Sequence, residues 1–401
     1  MVYVVHSMAN IAMLYDRSET DELGIRLTAE EMGVELEYFP FHKVAVGFDA
    51  DGFSYRSLGK DYSDRLSDIR VVLNRTQSKS RRMFAADIFE AIGAHVLNPL
   101  TVELACKSKV RTLLAFASKG IRVPRTVYVS ANVEEQTSGG GVQDNSGAIS
   151  RLVSQDLGNE KVVVKPDAGT HGRGVTLAEG SDGLLMVLRD VAPTIINPSG
   201  VVAQELIPKW FYDLRIVVRK EKGKAPHCHE TALARGGFKE FRTNTFLGNK
   251  VFRAHLPAVV RRQAENSAQA LGGDEDSWMI ALDAMPRIGD ELMEGEEALR
   301  QSFEDLEEPF SEVTRVKRMP DKKRNFPEYN REITRAYTEY MASEPYAHIQ
   351  GVVNETLEKC RDSVYFHEGN ACPEFWEQTR LVGGVNVAED LLTCALGLID
   401  S

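Results

Sequence analysis

The chain has 401 residues, enough for two or three structural domains and a core that needs neither disulfides nor a structural metal. A formal net charge of −11 argues against nucleic-acid binding through bulk charge, and no apolar run is long enough to span a membrane. The five cysteines include no C-x-x-C pair and suit a reduced cytoplasm, and the start MVYVVHSMAN lacks the pattern of a signal peptide, so the expected location is cytoplasmic.

In chain order, residues 2–5 read as a strand and 19–32 as a helix that stops near Gly33. VELEYF (34–39) and IRVVLNR (69–75) read as strands, and SRRMFAADIFEAIGA (80–94) as a helix ending near Gly93. Strands alternating with helices predict an α/β domain with a parallel sheet, closed by LNPLT at about residue 98. Residues 102–120 read as one further helical stretch, IRVPRTVYV leads into a new strand, and EEQTSGGGVQDNSG (134–147) has the composition of a flexible loop. No repeat at a solenoid period is present.

The stretch VVVKPDAGTHGRGV (162–175) sets Lys165 at the end of a β-branched run and follows it with Gly169, Gly172 and Gly174. The spacing is that of neither the dinucleotide fingerprint nor the P-loop, whose lysine follows its glycines. An ordinary hairpin with a surface lysine and a glycine loop that lets backbone approach a ligand are both open at this point. VVAQELI (201–207) reads as a buried strand whose end could wall a flat purine, through Gln204, Glu205, Leu206 and Ile207. Asp213 and Arg215 follow, and then Arg235, Arg242, Thr243 and Asn244, where clustered arginines suit bidentate recognition of carboxylate or phosphate. Two apolar strands deliver Asp283 (SWMIALDAM) and the pair Glu368 and Asn370 (VYFHEGNAC), the pair on one strand face. Hard oxygen donors of this kind suit Mg²⁺. The HCH run at 227–229 has too few neighbours for a zinc site, and Cys372 reads as a packing residue.

The order lysine, glycine loop, Q-E hinge, D-x-R, F-R-x-N, strand aspartate and E-x-N resembles the ATP-grasp superfamily. Within it, the chain is similar to the group that holds the ribosomal-protein glutamate ligases and the lysine-biosynthesis ligases. LNRTQSKS, HVLNP and KVRTLLAFASKGIRVPRT extend the likeness across the N-terminal half. The resemblance implies an α/β chain, α+β in its C-terminal part, in three units. These are a parallel-sheet domain (1–98), a lid with the glycine loop (99–200) and a C-terminal unit with the metal site (201–401). It implies that Lys109 and Lys165 contact ATP phosphates and the adenine pocket, that Glu205 and Leu206 present backbone groups to adenine, and that Asp213 lies near the ribose. Arg242, Thr243 and Asn244 would line the phosphate and acyl-phosphate site, with Arg215, Arg235 and Arg242 holding the carboxylate. Asp283, Glu368 and Asn370 would hold two magnesium ions, with Mn²⁺ as a substitute, and His171 would either touch a phosphate or face solvent. The implied chemistry joins an amino acid or peptide amine to a carboxylate on a small molecule, a peptide or a carrier-protein tail. Nucleic acid and membrane are not expected partners, and homo-oligomer formation is left open. A kinase of the same fold and a nonenzymatic ATP-sensing module are the alternatives.

Two departures stand out. Residues 284–363, acidic and then basic, separate Asp283 from Glu368, and read as a solvated helical insertion or, alternatively, as a substrate lid or partner-docking element. NACPEFW lacks the glycine usual after the proline, so Phe375, Trp376 and Arg380 could shape a distinct acceptor pocket.

Overall fold

The computed structural model describes residues 10–399 except 18, 131–133, 137–138, 140–141, 159–160, 168, 170–171, 191–199, 244 and 246–247. The strand expected at 2–5, His171 and Asn244 lie outside the described residues.

The N-terminal part is a parallel sheet of order β2-β1-β6-β7, built from β1 (Ile11–Tyr15), β2 (Leu36–Pro40), β6 (Val71–Arg75) and β7 (His95–Leu97). Helix α1 (Thr20–Met32) is opened by a capping box, in which Glu22 accepts the Glu19 N–H at 2.9 Å, and closed by Gly33 at φ 68°. Strands β3 (Val44–Asp49), β4 (Gly52–Ser57) and β5 (Lys60–Asp61) form a separate antiparallel sheet, and α2 (Lys79–Ile92) covers the parallel one. The expected single helix over 102–120 is two, α3 (Leu100–Lys107) and α4 (Lys109–Ser118). The break falls at Ser108, which is extended and whose hydroxyl accepts the Arg111 N–H, so it caps the second helix.

The lid sheet has order β12-β11-β13-β8, from β8 (Thr126–Val129), β11 (Lys161–Pro166), β12 (Thr176–Glu179) and β13 (Val201–Glu205). The segment expected to be a flexible loop at 134–147 instead holds paired β9 (Glu134–Gln136) and β10 (Val142–Asp144), then the start of α5 (Ser146–Leu157). With α6 (Gly180–Asp190), α5 packs on the lid sheet.

The floor is an antiparallel sheet of order β17-β16-β14-β18-β19: β14 (Tyr212–Lys220), β16 (Thr231–Gly236), β17 (Lys250–His255), β18 (Trp278–Pro286) and β19 (Val364–Asn370). The short β15 (His227–Cys228) pairs with β14, and α7 (Ala258–Gly272) packs against the sheet. His229 in the HCH run hydrogen-bonds Asp390 at 2.7 Å, a structural pairing. Between β18 and β19 stand α8 (Glu296–Asp305), α9 (Glu307–Lys317), α10 (Phe326–Met341) and α11 (Glu344–Lys359), and the chain ends with α12 (Gln378–Leu381) and α13 (Val387–Ile399).

The expectation that 284–363 is a solvated insertion is corrected here. Val313, Val316, Tyr329, Ile333, Tyr337, Tyr340, Tyr346, Ile349, Val353 and Leu357 are buried in the same core that unites the floor sheet with one face of the N-terminal sheet. Most of the charged residues that suggested solvation lie on the outer faces of these helices, while Lys317 turns inward to pair with Glu377 at 3.1 Å. No described helix is long and apolar enough to cross a membrane.

Candidate functional site

A cleft of about 870 Å³ runs between lid and floor, with its far end walled by the start of α1, the β6–α2 turn and residues 374–378. It is lined by Lys109, Lys165, Gly169, Gly172, Gln204, Glu205, Leu206, Ile207, Asp213, Arg215, Arg235, Arg242, Thr243, Asp283, Glu368 and Asn370. Of the described residues that the sequence assigns to the nucleotide, metal or acceptor site, Gly174 and Arg380 are not part of that wall. Gly174, at φ 70°, packs behind Pro166, and Arg380 stacks on Trp376 at 4.0 Å.

The floor register explains the polar centre. Asp213 pairs across strands with Arg235, while Arg215, Asp283 and Glu368 stand opposite one another on β14, β18 and β19. Cross-strand neighbours lie about 5 Å apart, so their side chains meet. Arg215 grips Asp283 with two hydrogen bonds, 2.9 Å and 3.0 Å. Arg235, buried, donates to Asp213 at 2.8 Å and reaches Asp283 at 3.2 Å. Burial acts to raise both aspartates, and the arginines outweigh it, so Asp213 and Asp283 are held below the usual carboxylate range. Thr243 donates a further hydrogen bond to Asp213. Arg215 and Arg235 are thus already engaged by carboxylates.

Glu368 differs, because it makes no direct hydrogen bond or ion pair among the described residues. Burial acts to raise its carboxyl, but Lys109 and Lys79 outweigh both that and Asp283, so the net shift is downward. A bulge between Asp283 and Ala284 on one strand and Glu368 and Phe366 on the other makes His367 the extra residue. His367 also lines the cleft, and both of its ring nitrogens are shut off from solvent, with no hydrogen-bond partner among the described residues. Burial pushes its imidazole down to about 4.

On the lid side Lys165 is 9% exposed, and burial pushes its ammonium down to about 8, with Glu368 opposing the fall and Lys109 and Lys209 adding to it. Lys109 donates to the Gly169 carbonyl at 3.3 Å, and Arg242 donates to that of Gly172 at 3.1 Å, tying the glycine loop to both walls. Gly172 sits at φ 69°. A valine there is strained by about 1–3 kcal/mol. If the loop covers a nucleotide, as the resemblance implies, Gly172→Val should weaken ATP binding about tenfold while the melting temperature moves by only a few degrees, because the strain is confined to one turn. Calorimetric titration with ATP and a thermal melt check this, and unchanged ATP affinity would reduce the loop to an ordinary turn.

Several cleft residues carry no signal that the sequence reading used: Lys79, Lys209, Met285, His367, Lys317 and Lys322. Phe375 and Trp376, singled out as acceptor-pocket residues, do line the cleft. They are fixed by Asp21, whose Oδ1 accepts their N–H groups at 3.1 Å and 2.8 Å, while Arg75 bonds Asp21 and the Pro373 carbonyl. The N-terminal domain therefore shapes the far end of the cleft.

No family model matches the chain. It is 25% identical over 267 residues to the alpha-aminoadipate–LysW ligase LysX of Sulfurisphaera tokodaii, covering 66% of this chain and 81% of that one. A probable alpha-L-glutamate ligase of Stenotrophomonas maltophilia is 29% identical over 229 residues, 56% of this chain and 68% of its own. The fold matches a RiPP-associated ATP-grasp ligase of Chryseobacterium gregarium, solved with ADP and a leader and core peptide, with a TM-score of 0.53 and 15% identity over 98% of this chain and 97% of that one. The chain has the ATP-grasp fold, and the relatives it resembles are named as ligases. The cleft lies between the two antiparallel sheets, and the parallel sheet precedes both in the chain.

Proposed function

We propose that this ATP-grasp ligase joins a carboxylate to an amine through an acyl phosphate, with the cleft holding ATP. The observation that carries the reading is the convergence on one cleft of the lysine–glycine lid, the 204–207 wall and the Asp213/Arg235/Arg215/Asp283/Glu368 row. In this reading adenine lies against Val163, Leu206, Ile207 and Met285, with backbone groups of Glu205 and Leu206 at its edge. Lys109, Lys165 and Arg242 contact the phosphates, with Gly169 and Gly172 closing the loop over them and Gly174 shaping its turn.

Hard oxygens without competing partners suit Mg²⁺, and the donor set fits. Among the described residues Glu368 has no direct partner, and the Asn370 amide oxygen accepts the Cys372 N–H at 3.0 Å and no other. The oxygens of Asp283 keep lone pairs beyond those given to the arginines. Glu368, Asn370 and Asp283 would hold two ions, which neutralise phosphate charge when bound; Mn²⁺ is an expected substitute.

A carboxylate oxygen attacks the γ-phosphorus, the bond to the β-phosphate oxygen breaks and ADP leaves. The amine nitrogen then attacks the acyl carbon, phosphate departs and the amine loses a proton. Arg242 faces the transferring group from the lid side, while Arg215 and Arg235 act through the aspartates they orient. The carboxylate belongs to a small molecule, a peptide or a carrier-protein tail, and the amine to an amino acid or peptide. A panel of amines and carboxylates incubated with ATP and Mg²⁺ tests this by mass gain. ADP and phosphate should form only when both substrates are present, and a stable phosphorylated product in place of an amide would make the chain a kinase.

A pH dependence follows from Lys165. Its folded value, about 8, lies below the ordinary lysine value because of burial. Above that pH the free protein holds Lys165 largely neutral, whereas a polyphosphate favours the ammonium. Binding then takes up a proton, so ADP affinity should fall as pH rises above about 8, by up to about tenfold per unit. Lys165→Met should bind ADP more weakly at every pH and lose this dependence. Calorimetry in buffers of different ionisation enthalpy reads the proton uptake, and equal slopes in both proteins would discard the assignment.

A further inference from the structure

Resting on the nucleotide reading of the cleft, we infer that His367 is the side chain that reads the sugar of the bound nucleotide, by a hydrogen bond from its imidazole to a ribose hydroxyl.

The placement comes from the strand register. On β18, Met285 and Asp283 are two residues apart and both line the cleft, the first apolar and the second charged. Opposite them Met285 pairs with Tyr365 and Asp283 with Glu368, and the bulge inserts His367 between these two levels. An ATP molecule whose base rests on Met285 and whose phosphates face Lys109, Lys165 and Glu368 sets its sugar at the level of His367. Regular alternation would point neighbours of Glu368 to the opposite face. The bulge is what brings two successive residues, His367 and Glu368, to one cleft.

The imidazole is half-buried, and among the described residues neither of its nitrogens has a partner or touches solvent, so a small turn of the ring brings one of them to a ligand in the cleft. A buried polar group left unsatisfied costs about 1–3 kcal/mol, and a ligand oxygen removes that cost. Metal ligation is a weaker account of it. Among the described residues no three of the His, Cys, Asp and Glu side chains are grouped closely enough to hold an ion, so His367 does not join Asp283 and Glu368 in one set. The carboxylate expected near the ribose, Asp213, is already engaged by Arg235, Thr243 and Lys209. Among the described residues that leaves His367 as an unpaired hydrogen-bonding side chain at the sugar level.

The test is calorimetric titration of the full chain with ADP, 2′-deoxy-ADP and 3′-deoxy-ADP. Wild type should bind at least one deoxy analogue about tenfold more weakly than ADP. His367→Leu should bind ADP as weakly as wild type binds that analogue, with the analogue's own affinity changed less than twofold. His367→Gln, which keeps a polar group, should recover part of the preference. A melt of each variant confirms that it is folded. If wild type binds ADP without preference over either analogue, or if His367→Leu keeps the preference, His367 does not read the sugar and the nucleotide assignment still stands. If wild type binds no ADP at all, the nucleotide assignment falls and this inference falls with it.

Discussion

Removing residues 296–359 and closing the gap with a short turn is expected to give a chain that neither folds nor stays in solution. The four helices supply a large share of the core. Tyr329, Ile333, Tyr337, Tyr340, Tyr346, Ile349, Val353 and Leu357 are all buried. Each such side chain contributes about 1.5–3 kcal/mol by burial, against a net stability of roughly 5–15 kcal/mol for a domain. The helices also cover an open sheet edge. Strand β17 ends the floor sheet, and its outward backbone groups are taken one after another by the insertion. Tyr340 donates to the Val251 carbonyl at 2.9 Å, and Tyr346 accepts the Arg253 N–H at 3.0 Å. Gln350 donates to the Arg253 carbonyl at 3.1 Å, and Asn354 accepts the His255 N–H at 2.9 Å. Stripped of these partners the strand presents unpaired groups that template aggregation. Expression in the soluble fraction, size-exclusion chromatography and circular dichroism are the measurements. A soluble monomer with a cooperative melt would show the four helices to be dispensable. A graded series sharpens the point. Tyr340→Phe removes one hydrogen bond and should cost about 1 kcal/mol, whereas Tyr340→Ala should cost about 3–5 kcal/mol.

The same segment shows what the sequence could and could not disclose. Its alternating charge blocks suggested solvation, yet Tyr329, Ile333, Ala336, Tyr337 and Tyr340 follow the helical spacing of a buried stripe. That signal was present and was outweighed by composition. The floor strands were legible because each is an apolar run that ends at a charged residue. Their register was not, because it depends on partners far along the chain, so the engagement of Arg215 and Arg235 by aspartates could not be read from spacing. The bulge at His367 leaves no mark in a seven-residue strand sequence, and without it the residue should face away from Glu368. At the N-terminus the strand Ile11–Tyr15 went unread, because it follows closely on another apolar run. Strands β3 to β5 were missed because a short separate sheet carries little of the parallel-sheet pattern.

Glu368→Gln should lower turnover by about a hundredfold or more while leaving the fold intact, in the proposed site. The substitution keeps size and shape and removes one negative charge. Asp283 and Asp213 are tied to arginines: neutralising Asp283 would strip Arg215 of its partner, and neutralising Asp213 would leave Arg235 only its longer contact to Asp283. Glu368 holds no such partner, so its neutralisation leaves no buried cation stranded in a direct pair. Lys109 and Lys79, which hold its carboxyl down, keep their backbone carbonyl contacts to Gly169 and Cys106. The thermal melt should therefore shift little. The expected loss is specific to metal: a neutral amide binds Mg²⁺ poorly and cannot bridge two ions, and removing one stabiliser of developing phosphoryl charge typically costs a factor of about 10²–10³. Asp283→Asn should differ in kind, losing stability as well as activity, because it breaks the paired arginines. The discriminating measurement is Mn²⁺ binding followed by electron paramagnetic resonance in the presence of ADP, beside steady-state ADP production. Glu368→Gln should lose at least one bound ion while still binding ADP. Wild-type Mn²⁺ stoichiometry and near-normal ADP production in that variant would take Glu368 out of the metal site and leave its burial beside two lysines to be explained by the substrate alone.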